Sequence, residues 1–122
     1  MSSIGPGRLD DRRAAEDVFV LDIRPADAYR DGHIEGSHNA PVYDDVREGE
    51  VEALDPHLDE LPEDGEIVTV CKAGVVARTA TNHLESAGYD ATTLTGGYAG
   101  WRQYERNTVL YRLAAFARRV LP

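Results

Sequence analysis

The sequence predicts a single α/β domain with a mostly parallel sheet. Short apolar runs typical of buried strands alternate along the chain with segments of helical periodicity. The chain has 122 residues, a common size for one domain, and 42% of them are hydrophobic, which suffices for one core. There is no internal repeat and no low-complexity segment. These observations exclude a two-core protein and a repeat architecture.

The first third of the chain predicts one strand between two short helices. Residues 9–16 have the pattern of a short helix, and residues 18–21 form a β-branched and aromatic run typical of a buried strand. Pro25 suits the first turn of a helix, so residues 25–30 are expected to be helical up to Gly32. Residues 38–42 then form a brief extended piece.

The middle of the chain predicts surface helices followed by the clearest strand. Between residues 43 and 61, apolar residues recur at near-helical spacing among acidic ones. We therefore expect one or two surface helices, broken near Pro56. After a turn, Glu66–Val70 is a nearly continuous apolar run, the pattern of a strand buried on both faces. This strand ends directly before Cys71.

The last third predicts a helix, a strand and two further helices. Residues 75–87 have apolar positions at spacings of three, four and seven, and Gly88 provides the expected stop. Residues 91–94 form a short strand, and residues 98–106 form a short helix after a glycine turn. The domain is expected to end at residue 106.

A separate amphipathic helix is expected within residues 107–122, after the domain of residues 1–106. It has an apolar side, with arginines elsewhere. Three roles are open for this helix: packing across the domain, docking to a partner, or binding to a membrane surface.

Composition limits the partners and the location. The formal net charge is −9, from 22 acidic and 13 basic residues, which disfavours nucleic acid and anionic membranes as general partners. No run of apolar residues is long enough for a membrane span, and the first residues lack a secretory pattern, so a cytoplasmic location is expected. Composition leaves the oligomeric state open.

The only cysteine is the main candidate for chemistry. Cys71 lies between a predicted strand end and a helix start, in a loop with Gly74 that can expose backbone N–H groups to an anion. The helix N-terminus and Lys72 both favour a thiolate there. Taken alone, the loop leaves two readings open: a reactive thiol, or a small buried packing residue.

Two further motifs resemble the signatures of rhodanese-like domains. Residues 20–41 are similar to the first signature, D-x-R followed by Y-x-x-G-H-I-x-G-A/S-x-N-x-P, and residues 94–101 to the second, L-x-G-G-x-x-x-W. The cysteine loop stands between them in the family's order. This resemblance covers residues 9–104 and implies a rhodanese-like fold, with the sheet flanked by helices on both faces.

The resemblance also implies a sulfurtransferase with Cys71 as the nucleophile. The thiolate would take the outer sulfur of thiosulfate or of a persulfide and pass it to a thiol or cyanide, or to a sulfur-relay protein. The anionic persulfide would be stabilised by the loop. Its expected binding residues are Lys72, Ala73, Gly74, Val75, Val76 and Ala77. No cofactor is implied.

The loop departs from the commonest pattern in the family. Many members have a polar or cationic residue at the position of Val76 and a serine at that of Ala77. This chain instead resembles the variety C-R/K-x-G-V-x-A. Electrostatic stabilisation of a bound anion would then come from Lys72 and the backbone amides. Donor preference is therefore open.

Two other functions compete with sulfur transfer. An arsenate reductase or phosphatase relative requires C-x5-R, but Ala77 stands at the position of that arginine and Arg78 follows one residue late. A non-catalytic interaction module is the second alternative, and the intact cysteine loop disfavours it.

Structural roles are expected for the other marked residues. Asp22 and Arg24 should form an ion pair beneath the site, and His33 should bond to the backbone of its turn. His38, His57 and His83 lack the spacing of metal ligands, so no metal site is expected.

Overall fold

A computed structural model of the protein describes residues 2–121 and contains one five-stranded sheet. The strands are β1 (Ser3–Ile4), β2 (Val18–Asp22), β3 (His38–Asn39), β4 (Glu66–Val70) and β5 (Asp90–Leu94). Their spatial order is β1-β5-β4-β2-β3, and each neighbouring pair is parallel. The parallel sheet expected from the alternation of strands and helices is therefore confirmed.

Strand β4 lies at the centre of the sheet, paired with β2 on one side and β5 on the other. Four of its five residues are buried, because both faces of the sheet are covered. This explains its continuous apolar pattern. Its single buried polar side chain, Thr69, is satisfied by hydroxyl contact with Thr81 at 2.7 Å, and Thr81 in turn contacts Thr93 at 2.7 Å.

Helices cover both faces of the sheet. They are α1 (Pro6–Ala14), α2 (Ala26–Asp31), α3 (Tyr43–Arg47), α4 (Val76–Ser86) and α5 (Gly97–Val120), with a 3-10 helix at Val51–Glu60. One core cluster joins the sheet to α3, α4 and the 3-10 helix through Val46, Leu84 and Leu54. The other joins it to α1 and α5 through Leu9 and Trp101. The domain thus has three layers.

The segment of residues 43–61 differs from its prediction. Two helical pieces are present, but they separate at Gly49, whose φ is 90°, and not near Pro56. Pro56 lies inside the 3-10 helix, where a proline φ near −65° is compatible with the backbone. The expected break at the proline was wrong because a left-handed glycine ends the helix earlier.

The chain end also differs from its prediction. The helices expected at residues 98–106 and in residues 107–122 are one continuous helix, α5. No proline or glycine lies between Trp101 and Val120 to interrupt it, and the hydroxyl of Thr108 donates back to the carbonyl of Tyr104 at 3.0 Å. Packing of the terminal segment across the domain is not observed, since its large apolar side chains are exposed.

Candidate active site

The candidate site lies at the carboxyl edge of the sheet, where β4 ends and the chain turns into α4. Cys71 is the first residue after β4, and it is 1% exposed. The loops that follow β2 and β5 end at the same edge. In parallel α/β sheets this edge is where ligands bind.

The cysteine sulfur occupies the position of a helix cap. No side chain caps the N-terminus of α4. Instead, the backbone N–H of Ala77 donates to Sγ of Cys71 at 3.4 Å, and the N–H of Gly74 donates to the same sulfur at 3.1 Å. Two backbone amides and the N-terminus of α4 therefore face the sulfur.

The first turn of α5, directly after the Gly96–Gly97 turn, is hydrogen-bonded to the cysteine loop. The N–H of Tyr98 donates to the carbonyl of Cys71 at 2.8 Å, and that of Ala99 donates to the carbonyl of Lys72 at 3.0 Å. These bonds draw the loop carbonyls towards the start of α5. With these carbonyls bound on the α5 side, the N–H groups of Gly74 and Ala77 point towards the sulfur.

A buried ion pair supports the neighbouring loop, as the sequence predicted. Arg24 Nε and Nη2 donate to the carboxylate of Asp22 at 3.0 and 2.8 Å, and Nη2 also donates to the carbonyl of Gly32 at 2.7 Å. The guanidinium stacks over the ring of Tyr98, 4.0 Å from its centroid. Arg24 therefore links the end of β2 to the start of α5.

A cavity of about 540 Å³ opens beside the cysteine loop. Its walls come from several loops at the carboxyl edge, and the lining residues include Arg24, Gly32, Tyr43, Lys72, Tyr98 and Arg102. Lys72 and Arg102 have no carboxylate partner within residues 2–121, whereas Arg24 is fully engaged by Asp22. Among the described residues, the cavity lining thus contains two cations outside any ion pair, Lys72 and Arg102, together with the acidic residues Asp31 and Asp44.

The six loop residues predicted to bind substrate are brought around Cys71 in different ways. Gly74 and Ala77 point their amides at the sulfur. The side chains of Lys72 and Ala73 are exposed, and that of Val75 is 68% exposed. Val76 is partly buried and packs against the core.

Sequence reasoning missed three contributions to this site. Gly97 was expected to form a tight turn, with the pocket mouth as the alternative, but its close approach to the backbone of the cysteine loop was not foreseen. Tyr98 and Arg102 were not singled out, although both line the cavity. The glycine pair was the available signal, because a Gly-Gly turn before a helix permits close backbone approach.

The histidines have structural surroundings. His33 Nδ1 lies 2.7 Å from the carbonyl oxygen of Tyr29, as expected for a turn residue, and its ring stacks on that of Tyr29. Hydrogen bonds from His57 and His38 lower the pKa of Glu60 below its usual value. Among residues 2–121, no group of three or more His, Cys, Asp or Glu side chains is arranged to hold a metal ion.

Comparison with known sequences identifies the class of protein. Residues 5–104 match the rhodanese-like domain family, and the chain belongs to that family. The match ends near the point at which α5 leaves the body of the domain. In the described part of the chain, no helix is long and apolar enough to cross a membrane.

The relatives place this domain in different settings. The HTH-type transcriptional regulator Rv0324 of Mycobacterium tuberculosis is 33% identical over 75% of this chain, which spans 37% of that protein. The adenylyltransferase and sulfurtransferase MOCS3-2 of Zea mays is 32% identical over 72% of this chain, 18% of its own length. Thiosulfate sulfurtransferase GlpE of Shewanella oneidensis is 28% identical over 73% of this chain, and the match spans 80% of GlpE.

Solved structures confirm the rhodanese-like fold predicted from the motifs. A rhodanese-related protein of Thermoplasma volcanium has a TM-score of 0.71 at 22% identity, covering 85% of this chain and 93% of that protein. A thiosulfate sulfurtransferase of Pseudomonas aeruginosa has a TM-score of 0.72 at 23% identity, covering 85% of this chain and 18% of that one. At these identities the likeness concerns the fold.

Proposed function

We propose that the protein is a sulfurtransferase in which Cys71 carries a sulfane sulfur as a persulfide. One observation carries the proposal: Sγ of Cys71 accepts two backbone N–H groups at the N-terminus of α4. A structural cysteine has no need of an anion site. The relatives named as sulfurtransferases support the same chemistry.

The first step loads the sulfur. The Cys71 thiolate attacks the outer sulfur of thiosulfate, a new S–S bond forms, and the old S–S bond breaks with its electron pair leaving on sulfite. A persulfide donor reacts in the same way and leaves as a thiolate. The new terminal sulfur is anionic, and the amides of Gly74 and Ala77 stand where they can stabilise it.

The second step unloads the sulfur. An acceptor thiolate, cyanide or the cysteine of a sulfur-relay protein attacks the terminal sulfur, and the bond to Sγ breaks to restore the Cys71 thiolate. In both steps a nucleophile displaces a leaving group from sulfane sulfur, and the acceptor leaves as a persulfide or, for cyanide, as thiocyanate, so neither step requires a cofactor. A cavity of about 540 Å³ is far larger than cyanide needs, which favours a thiol acceptor of organic size.

The loop residues have separate roles in this proposal. Lys72 attracts the anionic donor, while Ala73, Val75 and Val76 complete the loop that presents the amides of Gly74 and Ala77. A cytoplasmic location belongs to the proposal, because a reducing compartment keeps a single cysteine from forming a disulfide.

A non-catalytic interaction module is the second candidate. Its support is the relationship to a protein named as an HTH-type transcriptional regulator. Arsenate reductase or phosphatase chemistry has less support, because the buried Ala77 stands where an oxyanion-binding arginine is required and the Arg78 side chain is exposed.

Intact-mass measurement tests the proposal. After incubation with thiosulfate, the wild type should gain the mass of one sulfur atom, the gain should disappear on reduction, and Cys71→Ser should gain nothing. Absence of the adduct on a folded wild type would refute the persulfide carrier and favour the interaction module. An adduct that persists in Cys71→Ser would refute Cys71 as its site.

A further inference from the structure

Helix α5 continues well past the domain that the family shares. The family match ends at residue 104, whereas α5 continues to Val120. At 1.5 Å per residue, this extension is about 24 Å long. The shared domain therefore leaves the role of residues 105–121 unexplained.

The extension displays apolar side chains to solvent. Seven large ones are between 55% and 70% exposed: Val109, Leu110, Tyr111, Leu113, Phe116, Val120 and Leu121. Only one other large apolar side chain among residues 2–121, Val75, is comparably exposed. Single exposed apolar residues need no explanation, but a contiguous set on one element indicates a docking surface.

Four of these residues form a regular seam. Val109, Leu113, Phe116 and Val120 are spaced by four, three and four residues, the repeat of helices that pair side by side. At 3.6 residues per turn they fall within an arc of about 60°. Tyr111 lies on the opposite side of the helix. Such a seam is complementary to an identical seam, so it fits a two-fold contact between copies.

The charges also fit a second copy better than a lipid surface. Residues 106–121 contain four arginines and no acidic residue, which leaves nine basic and 22 acidic residues, a formal charge of −13, in the rest of the chain. An anionic bilayer would attract the arginines but repel the attached domain. A second copy instead offers an apolar seam to the helix and an acidic body to its arginines.

We infer that two copies of the chain associate through the seam of Val109, Leu113, Phe116 and Val120. None of these four residues lines the cavity beside the Cys71 loop. The inference does not depend on the sulfurtransferase proposal.

The mass of the full chain in solution tests the inference. Analytical ultracentrifugation should show a monomer–dimer equilibrium, and the double variant Leu113→Gln/Phe116→Gln should raise the dissociation constant at least about tenfold. Tyr111→Gln is the matched control, because it removes an equally exposed apolar side chain from the opposite face. Far-UV circular dichroism establishes that each variant is folded.

Salt distinguishes the two possible partners of the helix. Raising the salt to about 1 M shortens the Debye length to about 3 Å and screens charge interactions, so dimerisation through the apolar seam should persist whereas binding to an anionic bilayer should be lost. A wild type that is monomeric at every concentration and salt would overturn the inference. So would equal losses in the seam variant and the Tyr111→Gln control, or a monomer that sediments with phosphatidylglycerol vesicles.

Discussion

Gly97 lies against the backbone of the loop that carries Cys71, so closely that position 97 has no room for a β-carbon. Such an atom would stand 2.6 Å from the carbonyl oxygen of Lys72 and 2.7 Å from the amide nitrogen of Gly74, and would also strike the carbonyl of Cys71. The φ of Gly97 is 60°, which adds a left-handed backbone to the steric demand. The second family signature and the cysteine loop are therefore one structural unit.

Gly97→Ala should disrupt the site and destabilise the domain. We expect a loss of at least about 2 kcal/mol, since strained φ and overpacking each cost 1–3 kcal/mol, and we expect sulfur transfer to fall with it. Chemical denaturation and the thiosulfate adduct measure the two effects. Gly65→Ala is the control, because Gly65 also has a positive φ but open space around it. Equal loss of adduct formation in both variants, under conditions where both are folded, would contradict the contact.

Lys72→Ala should weaken the use of thiosulfate more than the use of a neutral donor. Lys72 lines the cavity and has no carboxylate partner among the described residues, so its charge is available to an anion. We expect kcat/KM for thiosulfate to fall about tenfold, a loss of about 1.4 kcal/mol of transition-state stabilisation. Donor kinetics with Arg78→Ala as the control measure this, because Arg78 is exposed and does not line the cavity. Equal losses for both donors would show that Lys72 does not act through charge.

The strand, the helix and the ion pair around the site could be predicted because each depends on a local sequence pattern. A continuous apolar run predicted β4 and placed Cys71 at its end, and helical periodicity predicted α4 with an error of one residue at each end. The ion pair of Asp22 and Arg24 followed from the family signature. Each prediction used neighbours in sequence, or a motif that contains them.

The remaining features depend on contacts that the sequence does not display. The close approach of Gly97 to the cysteine loop joins segments more than 20 residues apart. Strand β1 has only two residues and exists because it pairs with β5. A new helix was predicted to begin near Thr108. No helix-breaking residue stands there, so α5 continues to Val120, and its large apolar side chains remain exposed.

Arg24→Ala should destabilise the fold strongly. It leaves the Asp22 carboxylate, 1% exposed, without its cation, and it removes the bond to Gly32 and the stack on Tyr98. Breaking one partner of a buried pair costs about 3–5 kcal/mol. The comparison is Arg47→Ala, which removes an exposed arginine from Glu48 and should change the free energy of unfolding by less than about 0.5 kcal/mol. Similar losses in urea denaturation would exclude a special role for the buried pair.

Tyr104→Phe should destabilise the root of α5 in a pH-dependent way. The Tyr104 hydroxyl donates to the carboxylate of Asp10 at 2.8 Å, and this bond raises the pKa of Tyr104 above its usual value. Since the folded state favours the protonated tyrosine, its contribution is complete below about pH 10 and is lost as the pH rises through the folded pKa. We expect a deficit of about 0.5–1 kcal/mol at neutral pH.

Denaturation of the wild type and Tyr104→Phe between neutral and strongly alkaline pH measures this deficit. The two proteins share every other titrating group, so the change in their difference belongs to Tyr104 and Asp10. Tyr111→Phe is the control, since that side chain is 70% exposed. A deficit that stays constant as the pH rises would contradict the role of the hydrogen bond.

Arg102→Ala should distinguish acceptors by size and charge. Arg102 lines the cavity beside Lys72 but has no contact with Sγ of Cys71, so loading from thiosulfate should change little. An acceptor thiol with a carboxylate would lose a charge-assisted partner, and its KM should rise about tenfold. Cyanide has no carboxylate for Arg102 to bind, so its kinetics should be unaffected. Arg106→Ala, one helical turn further along α5 and outside the cavity, is the control. If the KM for cyanide rose as much as that for the thiol, the arginine would act on the persulfide or the loop, and the cavity would not be the acceptor site.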